Sequence, residues 1–308
     1  MASNITQTSL SFSETVFLIT FTSLQIIIGT LANGVVIVTF LVARELRTRP
    51  SDLLILNLAV ADLISLLTFL PLHLYMIKED NFEENLPYLF YESFNTIGSF
   101  SSGITIFSIA VDKFLAVAFP LRYKNLITRN IVFVFIAISW IVAVLLGIVN
   151  FLSYILNFYF IFLALWTTFP LFLLITTTLL YCFIFSAAIK QGRKVLNERN
   201  ISNEAAGRRT IHRYRVVSKM VLNSFVLVCL FHGTFLPMVI YFTHFSLVKK
   251  IDNSRQLSER IWIYSFVFLN SCINPIIYTC GTRTFKKAFR RRIWSKIISN
   301  ETDRQSEC

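Results

Sequence analysis

The stretch Asn130-Ile-Val-Phe-Val-Phe-Ile-Ala-Ile-Ser-Trp140-Ile-Val-Ala-Val-Leu-Leu-Gly-Ile-Val-Asn150 contains no charged residue. An α-helix needs about 20 predominantly apolar residues to cross the hydrocarbon core of a bilayer, so this stretch predicts a transmembrane helix. Apolar blocks of this kind run over residues 17–42, 51–76, 89–119, 130–154, 158–189, 216–245 and 260–280. The 308-residue chain is therefore predicted to be an all-α membrane protein, a bundle of seven transmembrane helices.

The segments between these blocks define the expected domain organisation. Residues 1–16 are expected to be an extracellular N-terminus, residues 17–280 the membrane domain, and residues 281–308 a cytoplasmic amphipathic helix and tail. The fourth and fifth blocks almost merge, and residues 150–157 are the only turn expected between them. No pair of cysteines falls in a predicted outer loop, so the sequence indicates no disulfide framework.

The distribution of basic residues predicts the orientation of the chain. Of its 29 Lys and Arg residues, 24 fall in or beside the loops and tail of one side, which the positive-inside rule assigns to the cytoplasm. The N-terminus is then outside, where Asn4 begins a glycosylation acceptor sequence. The net charge of +12 fits attraction to anionic inner-leaflet lipid rather than to nucleic acid, because the basic residues flank spans and accompany no nucleic-acid-binding pattern.

An acidic residue lies in the middle of the second span. A charge at the centre of a membrane helix costs at least about 2.5–3.5 kcal/mol, so Asp62 requires an explanation. Its carboxyl could be satisfied by neighbouring polar groups or be protonated, or it could form a cation site. Carboxylate, hydroxyl and amide oxygens suit a small hard cation such as sodium. The candidate partners at similar depth are Ser102, Asn270, Ser271 and Asn274.

Two other features lie near the predicted inner face. Asp112-Lys113 at the end of the third span is either an interfacial ion pair or an element that contacts a cytoplasmic partner. Pro275 removes a backbone donor and predicts a kink in the seventh span. Residues 283–294 form a basic amphipathic pattern, with Phe285, Phe289 and Ile293 on one face, that is expected to lie on the membrane surface.

Several motifs occur in order on the expected helices. They are Gly29-Thr-Leu-Ala-Asn33-Gly, Leu46 to Leu63 with Asn57 and Asp62, Asp112-Lys113-Phe114 with Pro120-Leu121-Arg-Tyr123, Trp140, Tyr181, Phe231 with Phe235-Leu-Pro237, and Asn270-Ser-Cys-Ile-Asn274-Pro275-Ile-Ile-Tyr278. Together they resemble the rhodopsin-like family of G-protein-coupled receptors from Gly29 to Phe289. The resemblance implies an extracellular ligand, a heterotrimeric G protein as partner and a plasma-membrane location.

The resemblance also assigns expected roles to individual residues. It implies a sodium pocket that stabilises the inactive state, formed by Asp62, Ser102, Asn270, Ser271 and Asn274. It implies that Lys113 and Leu121 contact the G protein. It implies that a further set of residues takes part in the helix rearrangement on activation: Asp112, Lys113, Tyr181, Phe231, Phe235, Pro237, Pro275 and Tyr278.

The chain departs from the family pattern at its activation elements. Lys113, Phe114 and Phe235 stand where the family usually has Arg, Tyr and Trp, and lysine lacks the planar fork of arginine. Val216 and Val217 occupy the region of the usual acidic partner on the sixth span. We therefore expect elevated basal activity. The short second outer loop without a disulfide resembles that of the melanocortin, cannabinoid and lysophospholipid receptors.

The ligand class stays open at the level of sequence, with a peptide, a lipid and a small polar molecule all to be considered. Asn95 stands where amine receptors carry an aspartate, and the seventh span has no lysine for a retinal Schiff base. No metal cluster or nucleophile–base pair indicates an enzyme, while a transporter or a seven-helix protein that signals without G proteins is the alternative. By helical phase, the residues expected to line an outer pocket are Glu92, Asn95, Ser99, Phe235, Val239 and Tyr264.

Overall fold

The computed structural model describes residues 10–79, 86–199, 204–248, 253–281 and 283–291, and every statement below is restricted to them. The predictions for Asn4 and Ile293 lie outside the described residues, as do the side chains of Val216 and Val217. The helices are α1 (Phe12–Val42), α2 (Arg44–Arg47), α3 (Pro50–Leu67), α4 (Phe69–Glu79), α5 (Leu86–Ala118), α6 (Tyr123–Leu126), α7 (Arg129–Ile155), α8 (Tyr159–Arg199), α9 (Glu204–Val248), α10 (Asn253–Val267), α11 (Leu269–Gly281) and α12 (Arg283–Phe289).

Seven helical stretches are long and apolar enough to cross a membrane, as the sequence predicts. Among the described residues they are Phe12–Val42, Pro50–Glu79, Leu86–Ala118, Arg129–Ile155, Phe160–Lys190, Ser224–His244 and Leu257–Thr279, called here the first to the seventh span. The protein is thus an all-α membrane protein. Large apolar side chains cover its outside, since lipid rather than water surrounds the spans; Ile141 and Phe172 are more than half exposed.

The spans form a closed bundle around α5. This helix packs against α3, α7, α8 and α9, while α1 contacts both α3 and α11 and so closes the ring. Close approach depends on small residues, as is common between membrane helices. At Gly147 in α7, a Cβ atom would lie 2.5 Å from the Ile97 side chain of α5.

Two spans that the sequence predicts as single helices are interrupted in the structure. The second breaks at Thr68 between α3 and α4, because Pro71 cannot donate to the carbonyl of Leu67 and its ring crowds that carbonyl. The seventh breaks at Phe268, where the Ser271 N–H donates to the Phe268 carbonyl in a tighter turn. Pro275, where the kink was predicted, lies inside α11.

The loop between the fourth and fifth spans is shorter than predicted. Residues 150–155 belong to α7, and only Leu156, Asn157 and Phe158 separate it from α8. Asn157 has φ of 57°, and the Phe158 N–H donates to the Ser153 carbonyl at 2.7 Å. Together with the Asn157 N–H bond to Tyr154, this is a Schellman motif with asparagine in the left-handed position.

The ends of the membrane domain also differ from the apolar blocks. α1 begins at Phe12 rather than near residue 17, because Ser11 and Glu14 form a capping box. At the other end, α12 carries the predicted basic amphipathic pattern. Its Phe285 is buried against the bundle, while Lys286 and Lys287 are exposed.

Candidate functional site

A buried polar cluster surrounds Asp62 at the contact of α3, α5 and α11. Its Oδ1 accepts hydrogen bonds from Ser102 Oγ at 3.2 Å and Ser271 Oγ at 2.8 Å, and its Oδ2 accepts one from Asn274 Nδ2 at 3.0 Å. Asp62 is fully buried. All three donors are neutral, and no lysine or arginine among the described side chains pairs with this carboxylate.

Proline positions part of this cluster. Pro275 cannot donate to the carbonyl of Ser271, four residues earlier, and that carbonyl needs another donor. Asn33 Nδ2 of α1 supplies it at 2.9 Å and also donates to the Gly29 carbonyl at 2.9 Å. The freed carbonyl of the seventh span is therefore held by the first.

The chemistry around Asp62 fits a small cation. The side-chain oxygens of Asn270 and Asn274 are buried with no hydrogen-bond partner among the described residues. Asn270 itself makes no hydrogen bond to Asp62, so the structure joins Ser102, Ser271 and Asn274 to the carboxylate and leaves Asn270 beside them. A carboxylate without a cationic partner, with hydroxyl and amide oxygens nearby, is a donor set for a hard cation such as sodium.

A second cluster holds Asp112 at the inner end of α5. Lys113 Nζ lies 2.6 Å from Asp112 Oδ2, while Oδ1 accepts hydrogen bonds from Ser51 Oγ at 3.0 Å and Tyr123 OH at 2.7 Å. Burial, followed by the nearby Asp112 carboxylate, raises the pKa of Tyr123, so its hydroxyl stays protonated and donates. Asp112 is thus tied to α3 and α6 as well as to its neighbour.

The apolar activation elements pack at separate places in the bundle. The rings of Phe231 and Phe235 on α9 are 4.4 Å apart, and Pro237 of the same helix follows two residues after Phe235. Tyr181 packs against Phe225 across the α8–α9 contact. Tyr278 instead borders a small crevice beside α1, α3 and α12, so the two tyrosines are on different sides of the bundle.

A third cluster lies in the outer half of the bundle around Glu92 of α5. Glu92 is fully buried, and its Oε1 lies 3.8 Å from Arg260 Nη1 of α10. The hydroxyls of Tyr88 and Tyr264 donate to its two oxygens at 3.3 and 3.2 Å. A buried carboxylate and a partly exposed guanidinium therefore join the third and seventh spans, and the two phenol groups lie beside them.

A second set of hydrogen bonds crosses four spans beside this cluster. His73 of α4 contacts Tyr91 OH at 3.0 Å and Ser265 Oγ at 2.9 Å through its two ring nitrogens. Gln25 of α1 donates to the Ser265 carbonyl at 2.8 Å. The hydrogen bonds of His73 and Gln25 thus link the first, second, third and seventh spans.

Comparison with known proteins places this architecture in a family. The model of the seven-transmembrane receptors of the rhodopsin family matches residues 32–159. This match and the relatives described next support the rhodopsin-like receptor family for this chain. It is 26% identical to neuromedin-U receptor 1 of Rattus norvegicus over 307 residues, covering 87% of this chain and 71% of that one. Galanin receptor type 2 of the same species is 26% identical over 294 residues, with coverages of 90% and 76%.

The fold is shared with a solved structure. Squid rhodopsin superposes with a TM-score of 0.75 over 95% of this chain and 89% of that chain, at 17% sequence identity. The protein is therefore a G-protein-coupled receptor with the seven-helix fold, and these findings do not favour the transporter alternative.

The predicted outer-pocket residues of the receptor are all buried. They come from α5, α9 and α10, and the set is Glu92, Asn95, Ser99, Phe235, Val239 and Tyr264. Ser99 donates to Asn95 Oδ1 at 3.3 Å. Aromatic side chains fill the space beside them: Trp166 lies 5.9 Å from the Tyr264 ring, and Phe242 lies 6.0 Å from Trp166.

The sequence reading missed several residues that organise the receptor. Arg260 was not singled out, although it lies four residues, about one helical turn, before Tyr264 and so on the same face of the seventh span. Ser51 and Tyr123 were identified only as parts of sequence motifs, and no role was predicted for them. For Tyr123 a signal was available in the sequence. Tyr123 lies three residues after Pro120, so the turn that follows the third span brings its hydroxyl back toward the end of that span.

Proposed function

We propose that this receptor binds an extracellular ligand in the outer half of the bundle and that binding shifts the helix arrangement at the cytoplasmic face, where a heterotrimeric G protein docks. The observation that carries the proposal is the position of α5. One rigid helix bears Glu92 of the outer cluster, Ser102 beside Asp62 and Asp112 at the inner end. A ligand that favours one arrangement of this helix over another shifts the population of states at the inner face.

The G-protein contact is proposed at Lys113 and Leu121. Leu121 is 97% exposed at the turn after α5, an unusual position for a large apolar side chain outside the membrane spans. Lys113 is held against Asp112 with 13% of its side chain exposed, so it could contact a partner only after leaving that ion pair. The two residues together offer an apolar anchor and a charge that is released on activation.

We propose that the receptor resides in the plasma membrane with its N-terminus outside. The excess of Lys and Arg on the α2, α6 and α12 side supports this orientation. The exposed Lys286 and Lys287 of α12 would face anionic inner-leaflet lipid. Asn4 would then be a glycosylation site.

A sodium ion is the cofactor we propose for the Asp62 cluster. Asp62, Ser102, Ser271 and Asn274 would hold it, with Asn270 adjacent. The ion would supply the positive charge that this buried carboxylate lacks. Because the ligating groups belong to three spans, a bound ion would favour the compact arrangement in which they converge.

The ligand is proposed to reach Glu92, Asn95, Ser99, Val239 and Tyr264. The names of the relatives do not select its class, since matching receptors are named for neuromedin-U, galanin, cannabinoid and trace amine. As a receptor, the protein is assigned no catalytic activity.

The test of the proposed function is ligand-independent G-protein activation in cells that express the full chain. Wild-type receptor is expected to signal above empty cells, and Lys113→Ala is expected to lower this signal while Asn274→Ala changes it through the Asp62 cluster. Surface expression serves as the control. Equal signals from wild type, both variants and empty cells would refute elevated basal activity, and solute flux that depends on Asn274, without any change in signalling, would favour the transporter over the G-protein-coupled receptor.

A further inference from the structure

The ion pair of Glu92 and Arg260 occupies the place where an outer ligand would bind. Glu92 is fully buried, whereas 19% of the Arg260 side chain is exposed, so the pair borders the outside through its basic member. The guanidinium also lies over the ring of Tyr88, 5.6 Å from its centroid. A ligand entering the bundle from outside meets Arg260 first and Glu92 behind it.

The contacts within this cluster are loose. The Nη1–Oε1 distance of 3.8 Å exceeds the roughly 2.7–2.9 Å of a charge-assisted hydrogen bond. The two phenol contacts at 3.3 and 3.2 Å also exceed the roughly 2.5–2.7 Å usual for a hydroxyl donating to a carboxylate. Both charges therefore retain hydrogen-bonding capacity.

A ligand that separates Glu92 from Arg260 must replace the contact between them, and this requirement restricts the chemistry of the ligand. A cation at Glu92 would leave Arg260 without its partner, and an anion at Arg260 would leave Glu92 unpaired and buried, which is strongly unfavourable. A neutral molecule satisfies neither. A molecule that carries an ammonium and a carboxylate a few bonds apart satisfies both charges at once.

We propose that the receptor is built for a compact zwitterion, an α-amino acid with an aromatic side chain, whose ammonium binds Glu92 and whose carboxylate binds Arg260. The aromatic side chain is inferred from the neighbouring walls. Tyr264 donates to Glu92 and packs 5.9 Å from Trp166 and 6.4 Å from Phe242, rings on which a further aromatic group would stack. The inference rests on the proposed function, because it names the ligand class of that same outer site.

The test uses three probes that share one phenyl group: phenylalanine, phenethylamine and 3-phenylpropionate. Tyrosine and tryptophan are added to vary the ring. Binding is measured as the shift in thermal unfolding of the purified full-length receptor, and signalling is measured separately with a promiscuous G-protein reporter. Binding without signalling would count against coupling and not against the zwitterion site, so the two proposals fail separately.

The expected result is that at least one aromatic amino acid binds about 100-fold more tightly than the amine or the acid, because each singly charged probe leaves one buried charge unpaired. Arg260→Gln should move the preference toward phenethylamine, and Glu92→Gln toward 3-phenylpropionate. The double variant E92Q/R260Q keeps the cluster neutral, and it should remain folded and lose the amino-acid response.

Three outcomes overturn the proposal. One is binding of phenethylamine or 3-phenylpropionate to wild type as tightly as any of the amino acids. Another is unchanged amino-acid binding in E92Q/R260Q at wild-type expression. The third is the absence of a thermal shift with all three aromatic amino acids while the wild-type protein unfolds cooperatively and signals basally.

Discussion

At the scale of single residues, the hydrogen bonds to Asp112 are expected to control basal signalling. Tyr123 donates to its Oδ1 at 2.7 Å, and a hydrogen bond to a charged group contributes about 1.5–3 kcal/mol. Tyr123→Phe removes only this hydroxyl. If the contact holds the resting arrangement, the variant should raise basal G-protein activation by about tenfold or more, measured against receptor number at the cell surface.

Ser51 provides the control for this prediction. Ser51→Ala removes the 3.0 Å donor to the same carboxylate oxygen, and the two hydroxyls are 2.8 Å apart. Residues that share one partner are coupled, so the effect of S51A/Y123F should differ from the sum of the single effects. Strictly additive effects would show that Asp112 is not their common target.

The second prediction at this scale concerns Asp62. Replacing external and internal sodium by N-methyl-D-glucamine should raise the basal signal of wild type by about fivefold or more, because the ion favours the inactive state. Asp62→Asn should abolish the difference between the two media. Asp52 is another buried carboxylate of the same helix α3, and Asp52→Asn should keep the sodium effect. Equal loss of the effect in both variants would contradict a local site.

At the scale of helices, the approach of α5 and α7 depends on Gly147. An alanine Cβ there would lie 2.5 and 2.9 Å from two Ile97 atoms and 3.4 Å from the Ser93 carbonyl. Overpacking of this kind costs about 1–3 kcal/mol. Gly147→Ala should therefore lower the thermal unfolding temperature of the purified receptor and its surface expression.

The matched control is Gly34→Ala in α1, where an added Cβ meets nothing within 4 Å. This variant should be neutral or slightly more stable, since alanine is favoured over glycine in a helix interior by about 1 kcal/mol. Similar destabilisation by both substitutions would mean that glycine acts through helix flexibility and not through close packing.

At the scale of the whole molecule, charge asymmetry predicts which end of the bundle is outside. The acceptor sequences at Asn4 and Asn300 lie on opposite sides of the predicted membrane domain. Glycosidase treatment should increase the electrophoretic mobility of the wild-type receptor and of the Asn300→Gln variant, but not that of the Asn4→Gln variant. Glycan on Asn300 would reverse the orientation and with it the assignment of the ligand and G-protein faces.

Much of this receptor follows from local sequence. A predominantly apolar segment of about 20 residues must form a helix in lipid, because every backbone group has to be paired within the segment, and this predicts the seven spans even where a span contains a charge such as Asp62. The motif order was sufficient to bring Asp62 together with Ser102, Ser271 and Asn274. Breaks were harder to predict: Pro71 interrupts its span, whereas Pro275 does not, because Asn33 of a distant helix satisfies the carbonyl that it frees.

Only the tertiary structure decided how charges at distant positions are paired. Glu92 and Arg260 are 168 residues apart in sequence, and nothing local to either predicts that α5 and α10 bring them within 3.8 Å. The same holds for Ser51 and Tyr123 at Asp112. Hydropathy depends on each segment alone and so determines the number of spans, whereas the pairing of buried charges depends on how the spans pack against one another.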